Sequence, residues 1–157
     1  MKKNTGFTLM EVVIVVAIVG IIAAYSSKLL NEGFNAYLTG KSIESVVWQA
    51  RLALARMALD LRMINSSTSI STASTSQLIF TDTNNDSVTY QLTGSNLTRN
   101  GQVLASGINN LTFTYYNSSG AITGTTSSIR YVNYSLTFAV NNINISYQSG
   151  IFLRGLP

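Results

Sequence analysis

The chain has 157 residues, enough for one compact domain and an appendage. Only 10% of them are charged, well below the roughly 25% of ordinary soluble domains. There is no cysteine and no histidine, which excludes disulfides, thiol chemistry, Cys/His zinc sites and His-based triads, and the net charge of +4 includes Lys2 and Lys3 and so gives no reason to expect direct nucleic-acid binding.

The apolar residues are concentrated in the first third. After "KKNTGFTLME" comes "VVIVVAIVGIIAAYSS", with no charge between Glu11 and Lys28. Phe7 to Ser27 is about 21 residues, enough to cross a hydrocarbon core of roughly 30 Å as a helix. The two lysines ahead of it place the N-terminus in the cytoplasm and the remainder outside, by the positive-inside rule. A cleaved secretory signal fits poorly, because the apolar run is too long, contains Glu11, and "GIIAAYS" is a poor cleavage site. A plain anchor leaves Glu11 unexplained, since a carboxylate at mid-membrane costs roughly 2.5–3.5 kcal/mol on insertion scales.

The spacing of these residues resembles the N-terminus of type IV pilins and of the pseudopilins of type II secretion. A short basic leader ends in Gly6, an aromatic residue Phe7 follows, and Thr8-Leu9-Met10-Glu11 puts a glutamate at the fifth position after that glycine. The resemblance implies cleavage between Gly6 and Phe7 by a membrane-embedded prepilin peptidase, and N-methylation of Phe7. It implies storage in the bacterial inner membrane as a single-pass protein, then extraction into a filament through an assembly platform. Cleavage would free a cationic amine on Phe7 that can approach Glu11 of a neighbouring subunit. In a low-dielectric helical bundle that pairing is strong, and its loss leaves an uncompensated charge, so Glu11 would set register. The bland alternative has Glu11 snorkelling to the cytoplasmic headgroups.

Past Lys28 the pattern becomes amphipathic. Ile43, Val46, Val47, Ala50, Leu54, Met57, Ala58, Leu61 and Ile64 recur at spacings of three and four, while Arg51, Arg56, Asp60 and Arg62 are expected to stay in water or pair. Asp60 lies four residues after Arg56. A helix is therefore expected from Phe7 to about Ile64, with Gly33 and Gly40 as softer points than Gly20. Trp48 fits either core or an interface anchor. The organisation expected is a leader at 1–6, a transmembrane and assembly helix at 7–27, its amphipathic continuation at 28–64, and a β-rich head at 65–157.

In the head, "NSSTSISTASTS" (65–76) reads as a loop. Beyond it the period changes to two. "QLIF" (77–80) and "SVTYQL" (87–92) flank "TDTNND"; "LTR" and "QVLA" flank Asn100-Gly101, the strongest hairpin signal in the chain. "LTFTYY" (111–116), "IRYVNYSLTFAV" (129–140) and "NINISYQSGIFLR" (142–154) are further strands, the last two turning at Asn141-Asn142. The fold class is α+β, a long helix packed on an antiparallel sheet. Pilin-like proteins share this layout. The head is similar to minor pilins of the W type and to J-type minor pseudopilins. Major pilins usually carry a proline where Lys28 stands and close a C-terminal loop with two cysteines, so the departures favour a minor subunit.

Few groups in the head suggest chemistry. Asp82, Asn84 and Asp86 have the opening spacing of a calcium loop, but an EF-hand would need glycine and glutamate where Ser87 and Thr93 stand, so a plain hairpin turn is the favoured reading and a calcium site the rival. Tyr115, Tyr116, Tyr131, Tyr134 and Tyr147 fit core and cross-strand packing, with a sticky face as the alternative. No carboxylate pair, phosphate loop or nucleophile–base pattern stands out, so no enzyme and no cofactor is expected. The reading is a minor pilin that helps initiate or prime a type IV pilus-like filament, with other pilins as partners. The nearest alternative is a minor pseudopilin of type II secretion. An alternative of another class is a membrane-stalked adhesin or ligand-binding module, which an exposed aromatic surface on the head would favour.

Overall fold

A computed structural model describes residues 6–153; the leader residues 1–5 and positions 154–157, the end of the expected last strand and head, lie outside them. The chain divides into two compact units, Met1–Lys41 and Ser42–Pro157. One α-helix, α1 (Leu9–Arg62), contributes to both. Gly20, Gly33 and Gly40 lie within α1 as helical residues.

In the first unit almost every side chain of α1 is exposed. This is the helix, among the described residues, that is long and apolar enough to cross a membrane, and none of its apolar window is buried within the chain. Lys28 and Glu32 make an exposed i,i+4 pair at 3.9 Å. Such a pair contributes at most a few tenths of a kcal/mol, about 0.3–0.5.

The second unit holds the core. From the helix, Ala50, Ala53, Met57 and Leu61 are fully buried, and Val46, Leu54 and Ala58 pack beside them. This is the stripe the spacing of three and four predicts. Eight strands follow: β1 (Ile70–Ala73), β2 (Gln77–Thr81), β3 (Ser87–Thr93), β4 (Asn96–Arg99), β5 (Gln102–Ser106), β6 (Ile108–Tyr116), β7 (Tyr131–Val140) and β8 (Ile143–Phe152). All pairings between neighbours are antiparallel. The period of two is visible in burial: Leu78 and Phe80, Val88 and Tyr90, Leu111, Phe113 and Tyr115, and Val132, Tyr134, Leu136 and Phe138 all point inward.

Two features depart from the expected pattern. The strands form two sheets, β1–β5 and β6–β8, where a single sheet was expected. The division falls at Gly107, whose φ of +75° ends the β5 direction in a conformation that favours glycine. Two main-chain hydrogen bonds still tie the sheets together, Ile108 N to Ser95 O at 2.9 Å and Phe113 N to Thr75 O at 2.8 Å. The second departure is β1, which lies in the Ser/Thr-rich stretch expected to be a loop. Ile70 is the single large apolar residue there; it is buried against the core and sets β1 opposite Phe80 of β2.

The turns follow the sequence. Asn100 (φ +52°) and Gly101 (φ +80°) form the β4–β5 turn, and Asn141 (φ +48°) and Asn142 (φ +64°) the β7–β8 turn. The Asn100 side chain also accepts from Thr89 N and donates to Ser87 O, locking the turn onto β3.

Candidate functional site

Gly6, Phe7 and Thr8 precede the first helical residue, Leu9. The Gly6–Phe7 peptide is therefore outside the helical hydrogen-bond ladder, and Phe7 is 82% exposed. A Cβ at Gly6 would meet nothing within 4 Å, and its φ is not in the left-handed region. Neither crowding nor backbone conformation within the chain calls for glycine at this position.

Thr8 and Glu11 form a reciprocal cap. Glu11 N donates to Thr8 Oγ1 at 3.3 Å, and Thr8 N donates to Glu11 Oε2 at 3.5 Å. Thr8 O accepts from Glu11 N and Val12 N, opening the helical ladder. This is a capping box, which satisfies two of the main-chain donors left over at a helix start. The carboxylate also sits in the first turn, where the helix dipole favours negative charge. Thr8-x-x-Glu11 is the legible sequence signature of this role, which the membrane cost of Glu11 masks. Phe7 and Glu11 are thus both exposed at the helix start, next to the peptide bond whose cleavage would create an amine.

A second polar constellation lies inside the head. Asp60 is only 8% exposed and meets the second of its two expected alternatives, pairing instead of water. Its Oδ2 accepts from Tyr90 Oη at 2.7 Å and from Arg99 Nε, and its Oδ1 faces Arg56 Nε at 3.2 Å. The expected Arg56–Asp60 pair is present, but β3 and β4 complete it. Burial, helped by the Asp60 carboxylate, pushes the Tyr90 hydroxyl well above the ordinary tyrosine range, and the Asp60 hydrogen bond pushes the Arg99 guanidinium further up. The group links helix to sheet, and it lines neither the cleft at Tyr116–Phe152 nor the one at Trp48–Leu52.

The other face of the helix in this unit is apolar and uncovered. Trp48, Leu52, Leu59 and Met63 are 68%, 65%, 57% and 37% exposed. With exposed Ala55 they recur at spacings of three and four, opposite the buried stripe. Trp48 is accordingly a surface residue and not part of the core.

Asp82, Asn84 and Asp86 sit in the β2–β3 turn. Asp82 Oδ1 accepts from Asn84 N at 2.8 Å and Asp86 N at 3.0 Å, and Asn85 has φ +63°. The Asp82 side chain thus completes a hairpin turn. Among the described residues no group of three or more His, Cys, Asp or Glu gathers as a metal site. The tyrosines divide between two roles. Tyr115 and Tyr134 are buried, Tyr147 packs edge-on against Phe138, and Tyr116 and Tyr131 pair on the outer sheet face.

The N-terminal sequence has a counterpart among known families. Residues 1–26 match the family described as the prokaryotic N-terminal methylation motif. The match supports a type IV pilin or pseudopilin, processed by prepilin peptidase and assembled with other pilins. No curated protein matches the chain. A pilin-type N-terminus and this α+β architecture indicate a structural subunit, not an enzyme. The motif and the single apolar N-terminal helix are consistent with anchoring in the inner membrane.

Proposed function

We propose that this chain is a minor pilin, cut between Gly6 and Phe7, methylated on Phe7, and incorporated near the start of a type IV pilus-like filament. The carrying observation is the match over residues 1–26, set on an exposed, non-helical Gly6–Phe7 bond just ahead of α1. Gly6 meets no demand inside the chain, so the demand comes from the peptidase that must close on the bond. The Phe7 amine created by the cut then pairs with Glu11 of a neighbouring subunit. Glu11 serves its own helix as a cap in the free subunit and the neighbour's amine in the filament.

The uncovered stripe Trp48–Met63 gives the head's own part of α1 a surface for a neighbouring subunit, with Trp48 as the interface anchor. Absence of cysteine and of a proline at position 28 favours a minor over a major subunit. A minor pseudopilin of type II secretion has the same requirements at every one of these positions, and the deletion phenotype separates the two. Loss of surface filaments identifies the pilus, and loss of exoprotein export the secretion system.

The test is the intact mass and N-terminal sequence of the protein taken from its native membrane. A chain beginning at N-methylated Phe7 is expected. A chain beginning at Met1, in a host with active peptidase, would overturn the reading.

A further inference from the structure

The outer face of the β6–β8 sheet carries a row of aromatic rings that neither processing nor helix packing uses. Tyr116, Tyr131 and Phe152 stand opposite one another on the three strands. Ring centroids are 5.8 Å apart for Tyr116–Tyr131 and 4.7 Å for Tyr131–Phe152, with interplanar angles of 56° and 52°. Their neighbours Tyr115, Val132 and Ile151 point into the core, so alternation sends this row outward. Phe152 remains 73% exposed.

The row is held in place. The end of the Tyr131 ring occupies the space where a Cβ at residue 150 would stand, which only Gly150 leaves open. Tyr131 therefore lies over β8 instead of standing off the sheet. Beside the rings, Asn117 Oδ1 accepts from Ser119 N, Ser119 Oγ and Ala121 N, fixing a tight turn that Gly120 completes at φ +78°. Rings, turn, Arg130 and Asn133 line a cleft of about 420 Å³, within the range of small-ligand sites, about 300–1,000 Å³.

We propose that this cleft binds an uncharged saccharide. A sugar ring has an apolar C–H face and a rim of hydroxyls. The aromatic row matches the first; the Asn133 amide and the Ser118 hydroxyl, which can each donate and accept, together with the Asn117 Nδ2 donor and the Ser119 Oγ lone pairs that the turn leaves over, match the second. Among the described residues no carboxylate lines the cleft, and the one cation that does, Arg130, donates through Nη1 to Ser127 O and Ile129 O. A nucleic acid would need several cations for its phosphates. A wholly apolar partner would strand the Asn133 amide and the Asn117 Nδ2 donor without hydrogen bonds. The fixed turn and ring mean little ordering is left to do on binding.

The experiment is saturation-transfer NMR on the full chain in phosphocholine micelles, which carry no sugar headgroup. The probes are uncharged oligosaccharides of glucose, galactose, mannose and N-acetylglucosamine at about 10 mM, above the Kd of weak single-site binding. Sialylated oligosaccharides and a proline-rich peptide are run beside them. Transfer to at least one uncharged probe is expected, about tenfold weaker in Phe152→Ala and unchanged in Trp48→Ala. Phe152 is so exposed that its removal leaves the fold intact, and an unchanged Tm checks this. Gly150→Ala, which displaces the Tyr131 ring, is expected to weaken binding as well. No transfer to any uncharged probe, transfer that survives both Phe152→Ala and Gly150→Ala, or transfer only to the sialylated probes or the peptide would overturn the proposal. These outcomes are independent of whether the N-terminus is processed.

Discussion

The two units of the chain meet opposite kinds of demand. Among the described residues of Met1–Lys41 nothing apolar is buried; α1 there exposes Val12, Ile14, Ile18, Ile21 and Ile22 along its whole circumference. A helix apolar all round is stable only where something else covers it, a bilayer or other helices. On the proposed function its special residues, Gly6, Phe7 and Glu11, likewise answer to partners as much as to the chain. In Ser42–Pro157 the reverse holds. Met57, Leu61, Phe80, Tyr90, Phe113 and Tyr134 are all essentially buried, and even Asp60 finds its partners within the chain. Mutations in the first unit should therefore change processing and assembly at constant stability, and mutations of buried residues in the second should change stability at constant processing.

The sharpest break of that contrast comes from Gly6. Gly6→Leu is expected to abolish cleavage, seen as a full-length chain by mass spectrometry, while the Tm of the head stays unchanged. A fall in Tm would mean that Gly6 serves the fold. On the other side, Met57→Ala should destabilise the head by about 2–5 kcal/mol, from lost apolar contact and the cavity left behind. Asp60→Ala should cost about 3 kcal/mol, because it leaves Arg99 and Tyr90 without their shared acceptor. Both are read by denaturant unfolding, and in both the cut at Gly6–Phe7 should proceed as before.

Glu11→Gln sharpens the comparison at a single residue. Glutamine keeps the capping box, since its side-chain carbonyl still accepts from Thr8 N, but it removes the charge. Helicity and cleavage are expected to be retained, and the amount of the chain recovered in sheared filaments to fall at least tenfold. Normal recovery would leave capping as the whole role of Glu11.

The smallest effect is confined to alkaline pH. Tyr90, Tyr115 and Tyr134 all have their hydroxyls pushed up chiefly by burial. Below the unfolded tyrosine value of about 10 they are protonated in both states, and stability does not depend on them. Above it the unfolded chain ionises first, so unfolding releases protons and the head loses stability as pH rises toward the folded values. Unfolding at stepped pH should show this decline begin near pH 10, less steeply in Tyr90→Phe.

The sequence by itself determined the N-terminal methylation motif, the span of the apolar helix, the buried stripe through Met57 and Leu61, seven of the strands and their Asn-containing turns. These rest on local rules: residue type, a period of 3.6 or 2, and the tolerance of asparagine and glycine for positive φ. Only the tertiary structure decided the rest. It drew Asp60 inward, because Tyr90 and Arg99, thirty and thirty-nine residues away, supply partners that no helical pattern can reveal. It made a strand of Ile70–Ala73, because one buried isoleucine outweighed the surrounding serines and threonines. It left Trp48 in solvent, and it set Tyr116, Tyr131 and Phe152 side by side, since which strands become neighbours depends on the pairing of whole sheets and not on any one segment's pattern.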